Sequence, residues 1–335
     1  MPMSRKISVL GAGSWGTALA ILAARNGYRV LLWGHNEAHM AALHCDRENK
    51  RYLPGQNFPE ILTVTSNLAQ IADFSQLILV SVPSHAFKAT LIKIQPLVNL
   101  NDLRIAWATK GFNPEDGSLL HEVVADVLSP KTPAAILSGP TFAREVTENL
   151  PTAITIASRH EGFATELAQL FHNDRFRPYT STDVIGVEVG GAVKNVLAIA
   201  AGIADGLGFG ANTRAALITR GLSEIMRLGI KLGGKQETFI GLAGLGDLVL
   251  TCTDNQSRNR RFGLALGQGK DKSSILNEIG QEVEGISAAK DTLALAKRHN
   301  IEMPITEQTY KVLYEGLNPL AAVENLLSRD QKAES

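Results

Sequence analysis

Six residues near the amino terminus, Gly11-Ala12-Gly13-Ser14-Trp15-Gly16, restrict the fold more than any other feature of the chain. They follow a short apolar run at residues 6–10 and open a helical pattern carried by Ala18, Leu19, Leu22 and Ala23. A second apolar run, residues 28–33, closes the unit. A G-x-G-x-x-G on its own is common, but between a strand and a helix it marks the turn of a dinucleotide-binding βαβ unit. Gly11 permits the tight turn and Gly13 lets backbone approach a pyrophosphate. Gly16 lets helix and strand pack closely, with the helix N-terminus facing the phosphates.

Further apolar, β-branched runs recur at residues 77–82, 104–109, 134–138 and 152–158. Runs without polar alternation fit strands covered on both faces, as in a parallel sheet wound by crossover helices. Beyond about residue 181 the strand signal stops. Helices are expected at 186–206 and 213–232, the second with Ile218, Leu222, Ile225 and Met226 on one face and Gly233-Gly234 as its stop. Ile286, Ala289, Leu293 and Ala296 continue the helical period, and Pro304 opens another helix. Asn318-Pro319 supplies an N-cap followed by proline at the first helical position. The expected class is α/β, with an N-terminal Rossmann-type doubly wound sheet followed by an all-α domain. Residues 1–180 form the dinucleotide-binding domain and residues 181–335 the helical substrate-binding and catalytic domain. A length of 335 residues suits two domains. The tail from Lys332 to Ser335 reads as disordered.

Charge and composition exclude several classes. Lysine plus arginine total 33 and aspartate plus glutamate total 33, with a pI near 7.1, so the basic excess that nucleic-acid binding draws on is missing. Hydrophobic residues at 44% and charged residues at 20% exclude a disordered chain. Cys45 and Cys252 are too few for a disulfide scaffold or a four-cysteine zinc site, and both read as small buried residues. The eight histidines show no ligand spacing with carboxylates, so no metal is expected. Arg5-Lys6 precedes an apolar run too short for a signal peptide. The least polar stretch, residues 186–203, is interrupted by Glu188, Lys194 and Asn195, so no membrane span is expected. Together these imply a soluble, reduced, cytoplasmic protein.

Open α/β sheets bind ligands beyond the carboxyl ends of their strands. The second run ends in Leu32-Trp33-Gly34-His35-Asn36, with no carboxylate until Glu37. Nothing there repels a 2′-phosphate, so NADPH is expected to be accepted beside NADH; His35 is either a contact to it or a surface turn residue. Three further runs end in Val82-Pro83-Ser84-His85, in Lys110-Gly111-Phe112 and in Gly139-Pro140-Thr141-Phe142-Ala143. Lys110 emerges either at the ligand crevice or in a solvated loop, and His85 is either an acid–base group or a structural one.

The helix expected at 186–206 reads Gly186, Gly190, Lys194, Ala198, Gly202, Gly206 at four-residue spacing. Residues four apart share a face, so one long cationic side chain stands in a nearly bare stripe. Each helical glycine costs about 1 kcal/mol against alanine, and several in register imply another backbone or a ligand lying close. Asn195 sits one step round the helix. A second glycine loop, Gly241-Leu242-Ala243-Gly244-Leu245-Gly246-Asp247, ends in a carboxylate that serves the site or simply caps a helix. Ser257-Arg258-Asn259 forms a donor cluster that either holds a phosphate or lies on a solvated basic patch.

Gly-Ala-Gly-Ser-Trp-Gly-Thr-Ala (11–18), Thr-Lys-Gly (109–111), Gly-Pro-Thr-Phe-Ala (139–143), Val-Lys-Asn (193–195), Gly-Leu-Gly-Asp-Leu (244–248) and Ser-Arg-Asn (257–259) occur in that order. In this combination the chain resembles the bacterial NAD(P)-dependent sn-glycerol-3-phosphate dehydrogenases along nearly its whole length. The resemblance implies reversible reduction of dihydroxyacetone phosphate to sn-glycerol 3-phosphate with NAD(H) or NADP(H), supplying the glycerophospholipid backbone, in a homodimer. It implies that Lys194 is the proton acceptor of the oxidative direction. It further implies that Lys110, Gly139, Thr141, Asn195, Asp247, Ser257, Arg258 and Asn259 line the substrate, with Lys110 and Arg258 also near the cofactor. Ser14, Trp15, His35, Ala143 and the stretch Glu282-Val283-Glu284-Gly285 correspond to cofactor contacts beside the glycine loop. Relatives usually carry an apolar residue at 282, so a contact from Glu282 would come from its backbone. Thr141 stands where many relatives have serine, which keeps the hydroxyl. In this reading Lys194 exchanges the proton, Lys110 polarises the carbonyl, Asp247 orients Lys194, and Arg258 with Asn259 holds the phosphate. Two competing readings are a dehydrogenase of a 3-hydroxy acid or 6-phosphogluconate, and a non-catalytic dinucleotide sensor. The first fits poorly around Gly139-Pro140-Thr141 and Ser257-Arg258-Asn259, and the second has no use for Lys194.

Overall fold

A computed structural model of the chain describes residues 5–328, so the tail expectation for Lys332 to Ser335 lies outside the described residues. The chain divides into two compact units, one ending at Glu188 and one starting at Val189.

The strands of the first unit are β1 (Lys6–Leu10), β2 (Arg29–Trp33), β3 (Glu48–Asn49), β4 (Leu53–Asn57), β5 (Leu62–Thr65), β6 (Leu77–Val80), β7 (Arg104–Trp107), β8 (Ala134–Ser138), β9 (Thr152–Ser158) and β10 (Phe176–Ser181). Eight of them form one sheet in the order β10-β9-β8-β7-β6-β1-β2-β5, while β3 and β4 pair as a separate hairpin. The chain moves outward from β1 through β2 to β5, then returns to the other side of β1 as β6. That reversal opens a crevice beyond the carboxyl ends of β1 and β6, where doubly wound folds take their ligand. The helices here are α1 (Ser14–Arg25), α2 (Glu37–Asp46), α3 (Leu68–Phe74), α4 (Ser84–Ile94), α5 (Leu120–Val127), α6 (Ala143–Thr147) and α7 (Glu161–Phe171). Ile7, Val9, Leu19, Ile21, Leu32 and Leu79 are fully buried in the core that joins sheet to helices.

All six expected runs form strands, and the structure adds to them. β5, β10 and the β3–β4 hairpin have no continuous apolar run. β5 and β10 sit at the sheet edges and are partly exposed, so burial does not demand one. The doubly wound sheet is parallel as expected except at one junction, where β8 and β9 pair antiparallel. Their connection holds only the five-residue α6 and no crossover helix long enough to carry the chain back across the sheet. Cys45 is exposed, against the expected burial, because it lies in the last turn of α2, a mostly exposed helix that buries only Met40 and Leu43. Cys252 is buried as expected.

The described part of the second unit is helical. Helix α8 (Val184–Gly206) starts in the first unit; α9 (Ala211–Lys231), α10 (Gln236–Phe239), α11 (Asp247–Thr253) and α12 (Arg258–Gly267) follow. They are succeeded by α13 (Lys272–Ile279), α14 (Glu284–Arg298), α15 (Pro304–Tyr314) and α16 (Pro319–Leu327). Asn318 caps α16 as read from the sequence, its side chain accepting from the Leu320 amide at 2.8 Å. Helix α8 is long and apolar enough to cross a membrane by length and composition, yet 94% of its most apolar window is buried inside the protein.

The bare stripe of α8 has a packing partner, another backbone. A Cβ at Gly190 would lie 2.6 Å from the Ala243 carbonyl oxygen, and one at Gly202 would lie 2.2 Å from that of Arg260. The contact is reciprocal, since a Cβ on Gly263 of α12 would meet the Ile199 oxygen at 2.1 Å. Two helices thus approach backbone to backbone, which only glycine permits. The closeness leaves Lys194 as a long side chain in a densely packed seam.

Candidate active site

In the first unit the glycine loop has the geometry its residues require. Gly11 adopts φ +119°, and a Cβ there would strike the Ser81 carbonyl oxygen at 2.5 Å. Its amide donates to the Trp33 carbonyl at 2.9 Å, locking the turn between β1 and β2. A Cβ at Gly16 would lie 2.0 Å from the Gly11 oxygen, so helix and turn touch. Gly13 is different: a Cβ there would meet nothing within 4 Å, which leaves a cradle over the N-terminus of α1. Ser14 donates its hydroxyl to the Tyr52 carbonyl at 2.8 Å, and the indole nitrogen of Trp15 is buried without a hydrogen-bond partner. His35 is exposed just past the end of β2.

The hairpin supplies a residue that sequence reasoning missed. Asn49, fully buried, donates to the Ala12 carbonyl at 3.0 Å and to the Thr17 hydroxyl at 2.8 Å, tying the β3–β4 strap to the loop. Farther along the sheet, the Thr109 hydroxyl donates to the Val82 carbonyl at 2.7 Å and so joins two strand exits. The half-buried Lys110 reaches toward the Gly139 carbonyl at 3.5 Å, and Thr141 donates to the same oxygen at 3.2 Å. Lys110, Gly139 and Thr141 therefore come together at the ends of β7 and β8. Ala143 opens α6 directly after them. His85 lies exposed in the first turn of α4.

The second unit gathers the remaining candidates. Lys194 is 6% exposed and Asp247 is fully buried, and the two form an ion pair. The lysine also donates to the Thr251 hydroxyl at 2.8 Å. That hydroxyl gives its own proton to the Asp247 carbonyl at 2.7 Å, so it can only accept from the ammonium. A carboxylate and a hydroxyl from adjacent turns of α11 thus aim the amine. Asp247 stands at the first position of α11, after Gly246, with its carboxylate turned to the lysine. Thr251 was not singled out from the sequence. Its signal was its place four residues after Asp247, on the same helix face. Burial pushes the nearby Cys252 thiol up to about 12, which makes it inert as a nucleophile at neutral pH.

Beside this pair runs a chain of amides. Asn195 donates to the Glu284 carboxylate at 3.2 Å and accepts from Asn259 at 3.0 Å; Asn259 in turn accepts from the Gly285 amide at 2.9 Å. The first turns of α12 and α14 are thereby fastened to α8 next to Lys194. Val283 is the buried N-cap position of α14 and Glu282 before it is exposed. Ser257 caps α12 by accepting from the Arg260 amide at 3.2 Å, and the half-buried Arg258 is the first residue of that helix. A helix N-terminus carrying an arginine and buried amide side chains is a ready anion site. Arg260, by contrast, is structural, held by Asp205 and by the Cys252 carbonyl at 3.0 Å.

Comparison with known proteins decides between the readings. The family model for the NAD-dependent glycerol-3-phosphate dehydrogenase N-terminus matches residues 6–164, and that for the C-terminus of the same enzyme matches residues 183–324. This chain belongs to the NAD-dependent glycerol-3-phosphate dehydrogenase family. Glycerol-3-phosphate dehydrogenase [NAD(P)+] of Colwellia psychrerythraea is 56% identical over 335 residues, covering 100% of both chains. The enzyme of the same name from Aeromonas hydrophila is 57% identical over 329 residues, 98% of each chain. A crystal structure of glycerol-3-phosphate dehydrogenase from Coxiella burnetii matches with a TM-score of 0.95 at 51% identity, covering 98% of this chain and 100% of that one.

Proposed function

We propose that this member of the family reduces dihydroxyacetone phosphate reversibly to sn-glycerol 3-phosphate with NADPH or NADH, and that Lys194 handles the proton. The observation that carries the reading is the buried amine of Lys194 held between the Asp247 carboxylate and the Thr251 hydroxyl. A structural lysine has no need of two aiming partners in a glycine-lined seam.

The residues of the first unit fit a dinucleotide. The open space over Gly13 admits a pyrophosphate, the free amides at the start of α1 face it, and the unpartnered Trp15 indole offers a further donor. Because the Ser14 hydroxyl is committed to Tyr52, Ser14 contributes through its backbone amide. Gly11 and Gly16 shape the loop, while His35, Ala143, Arg258, Val283, Glu284 and the backbone of Glu282 complete the proposed contacts. The bound nicotinamide supplies hydride transfer to the C2 carbonyl carbon.

The chain's own residues do the rest. Lys194 gives a proton to the C2 oxygen in reduction and takes it back in oxidation, and Asp247 and Thr251 hold its amine in line. Lys110, held beside Gly139 and Thr141, is the first unit's cation for polarising a substrate carbonyl. Ser257, Arg258 and Asn259 at the start of α12 hold the phosphate, where a guanidinium binds two oxygens at once. Asn195 keeps Asn259 and Glu284 in register with Lys194. In this reading residues 1–180 serve as the dinucleotide domain and residues 181–335 as the catalytic one, in a cytoplasmic homodimer serving glycerophospholipid synthesis. Size-exclusion chromatography with light scattering tests the dimer.

The deciding experiment follows NADPH and NADH oxidation with dihydroxyacetone phosphate and with 3-hydroxy-acid precursors. Turnover with the phosphorylated ketone, lowered about 100- to 10,000-fold in kcat by Lys194→Ala with cofactor affinity retained, is expected for loss of a general acid. Near-normal turnover of that variant would reject the assignment.

A further inference from the structure

In doubly wound folds the adenosine ribose lies at the carboxyl end of the second strand, and the charge standing there chooses between a 2′-hydroxyl and a 2′-phosphate. Here that place gathers three groups able to carry positive charge: His35, His39 and Arg51. His35 follows β2, and His39 sits in the first turn of α2, its amide bound by the N-cap Asn36 at 2.8 Å. Arg51 comes from the strap between β3 and β4, which the sequence reading did not connect with the nucleotide.

The ring of Tyr52 assembles the cluster. The His39 ring meets it edge-on at 5.4 Å, and the Arg51 guanidinium lies 5.1 Å from its centroid. The Tyr52 carbonyl is the acceptor for Ser14, so the strap rests on the helix that follows the glycine loop. His39 also interacts with the Ala12 backbone of that loop. Burial lowers the affinity of His39 for a proton, and the neighbouring charges that act on it, Arg51 and His35, push the same way.

The other cations of the strap are already engaged. Arg47 donates to the carbonyls of Pro59 and Leu62 at 2.7 and 2.8 Å, and Lys50 pairs with Asp46 at 3.1 Å. Glu48 turns its carboxylate to the Gly55 amide at 2.7 Å. Arg51 instead leans on an aromatic face, which orients a guanidinium without neutralising it.

We propose that Arg51, together with His35, forms the seat of the 2′-phosphate of NADP(H) and is the residue that sets this chain's preference between the two nicotinamide cofactors. A planar guanidinium held over Tyr52 presents two parallel donors to a phosphate, and the imidazole of His35 adds a third. The inference rests on the dinucleotide reading of the glycine loop.

Calorimetric titration of the wild type and of Arg51→Gln with NADPH, NADH, 2′,5′-ADP and 5′-ADP tests it without turnover. Losing one charge-assisted pair should weaken NADPH and 2′,5′-ADP by about 10- to 100-fold in Arg51→Gln while NADH and 5′-ADP stay within about twofold. Arg51→Lys should fall between, since it keeps the charge but not the fork. Unchanged NADPH affinity in Arg51→Gln, or equal loss for the phosphorylated and unphosphorylated nucleotides, overturns the assignment. A wild type that binds none of the four overturns the dinucleotide site itself.

Discussion

Lys194 donates to the hydroxyl of Thr251 at 2.8 Å, and that hydroxyl has its own proton committed to the carbonyl of Asp247. The arrangement has one polarity only. The ammonium must be the donor, and a methyl group in place of the hydroxyl removes one of the contacts that aim it. Thr251→Val, nearly the same size, should lower kcat about 10-fold by loss of one hydrogen bond to a charged group. Thr251→Ser should restore it, and the KM for NADPH should hold in both. A Thr251→Val enzyme with wild-type kcat would show that Asp247 aims the lysine alone.

Arg258 stands in the first turn of α12, where helix dipole and guanidinium add. Arg258→Ala should raise the KM for dihydroxyacetone phosphate by about 10-fold or more, the scale of a charged hydrogen bond, with a smaller effect on kcat. Steady-state kinetics across phosphate-bearing and phosphate-free ketones checks this: the variant should lose discrimination between them.

The backbone seam between α8 and α12 predicts a contrast between two glycines. Gly263→Ala sets a methyl 2.1 Å from the Ile199 carbonyl, and such overpacking should cost about 1–3 kcal/mol or more. Gly162, in the exposed first turn of α7, has nothing within 4 Å of its Cβ position, so Gly162→Ala should stabilise by about 0.5–1 kcal/mol. Denaturant unfolding of the two variants should move in opposite directions.

Asp291 provides a pH dependence with a definite sign. Burial raises its pKa from 3.8 to about 6, against a smaller opposing pull from Lys290. The neutral form is thus the one the folded state prefers. Its contribution to stability is whole below pH 3.8 and fades as pH climbs to about 6. Asp291→Asn removes that titration. The melting temperature of the variant relative to wild type should rise between about pH 4 and pH 6, then level off. A constant difference across that range would place no titration at Asp291.

The runs at β1, β2, β6, β7, β8 and β9 were readable because strands covered on both faces must be apolar throughout. β5 and β10 were not, because an edge strand shares its burial with solvent and its sequence is free to be polar. Lys194 was legible for a related reason: one cation in a row of glycines violates the pattern around it. Asn49 and Thr251 violate nothing locally, and their meaning lies in partners 32 to 57 residues away. Arg51 belongs with them, an ordinary charged residue until the hairpin folds back over the loop.

What the amino-acid order determined by itself was everything set by neighbours along the chain. That covers the glycine turn, the alternation of strands and helices, the change to helix near residue 181, and the chemistry of the residues offered at each strand end. Local sterics and the periods of helix and strand are enough for those. The tertiary structure alone decided the strand order with its reversal between β1 and β6, the antiparallel β9, the backbone contact that explains the bare stripe, and the pairing of Lys194 with Asp247 and Thr251. These depend on which surfaces meet, and close packing and hydrogen-bond completion are satisfied only when distant segments are brought together.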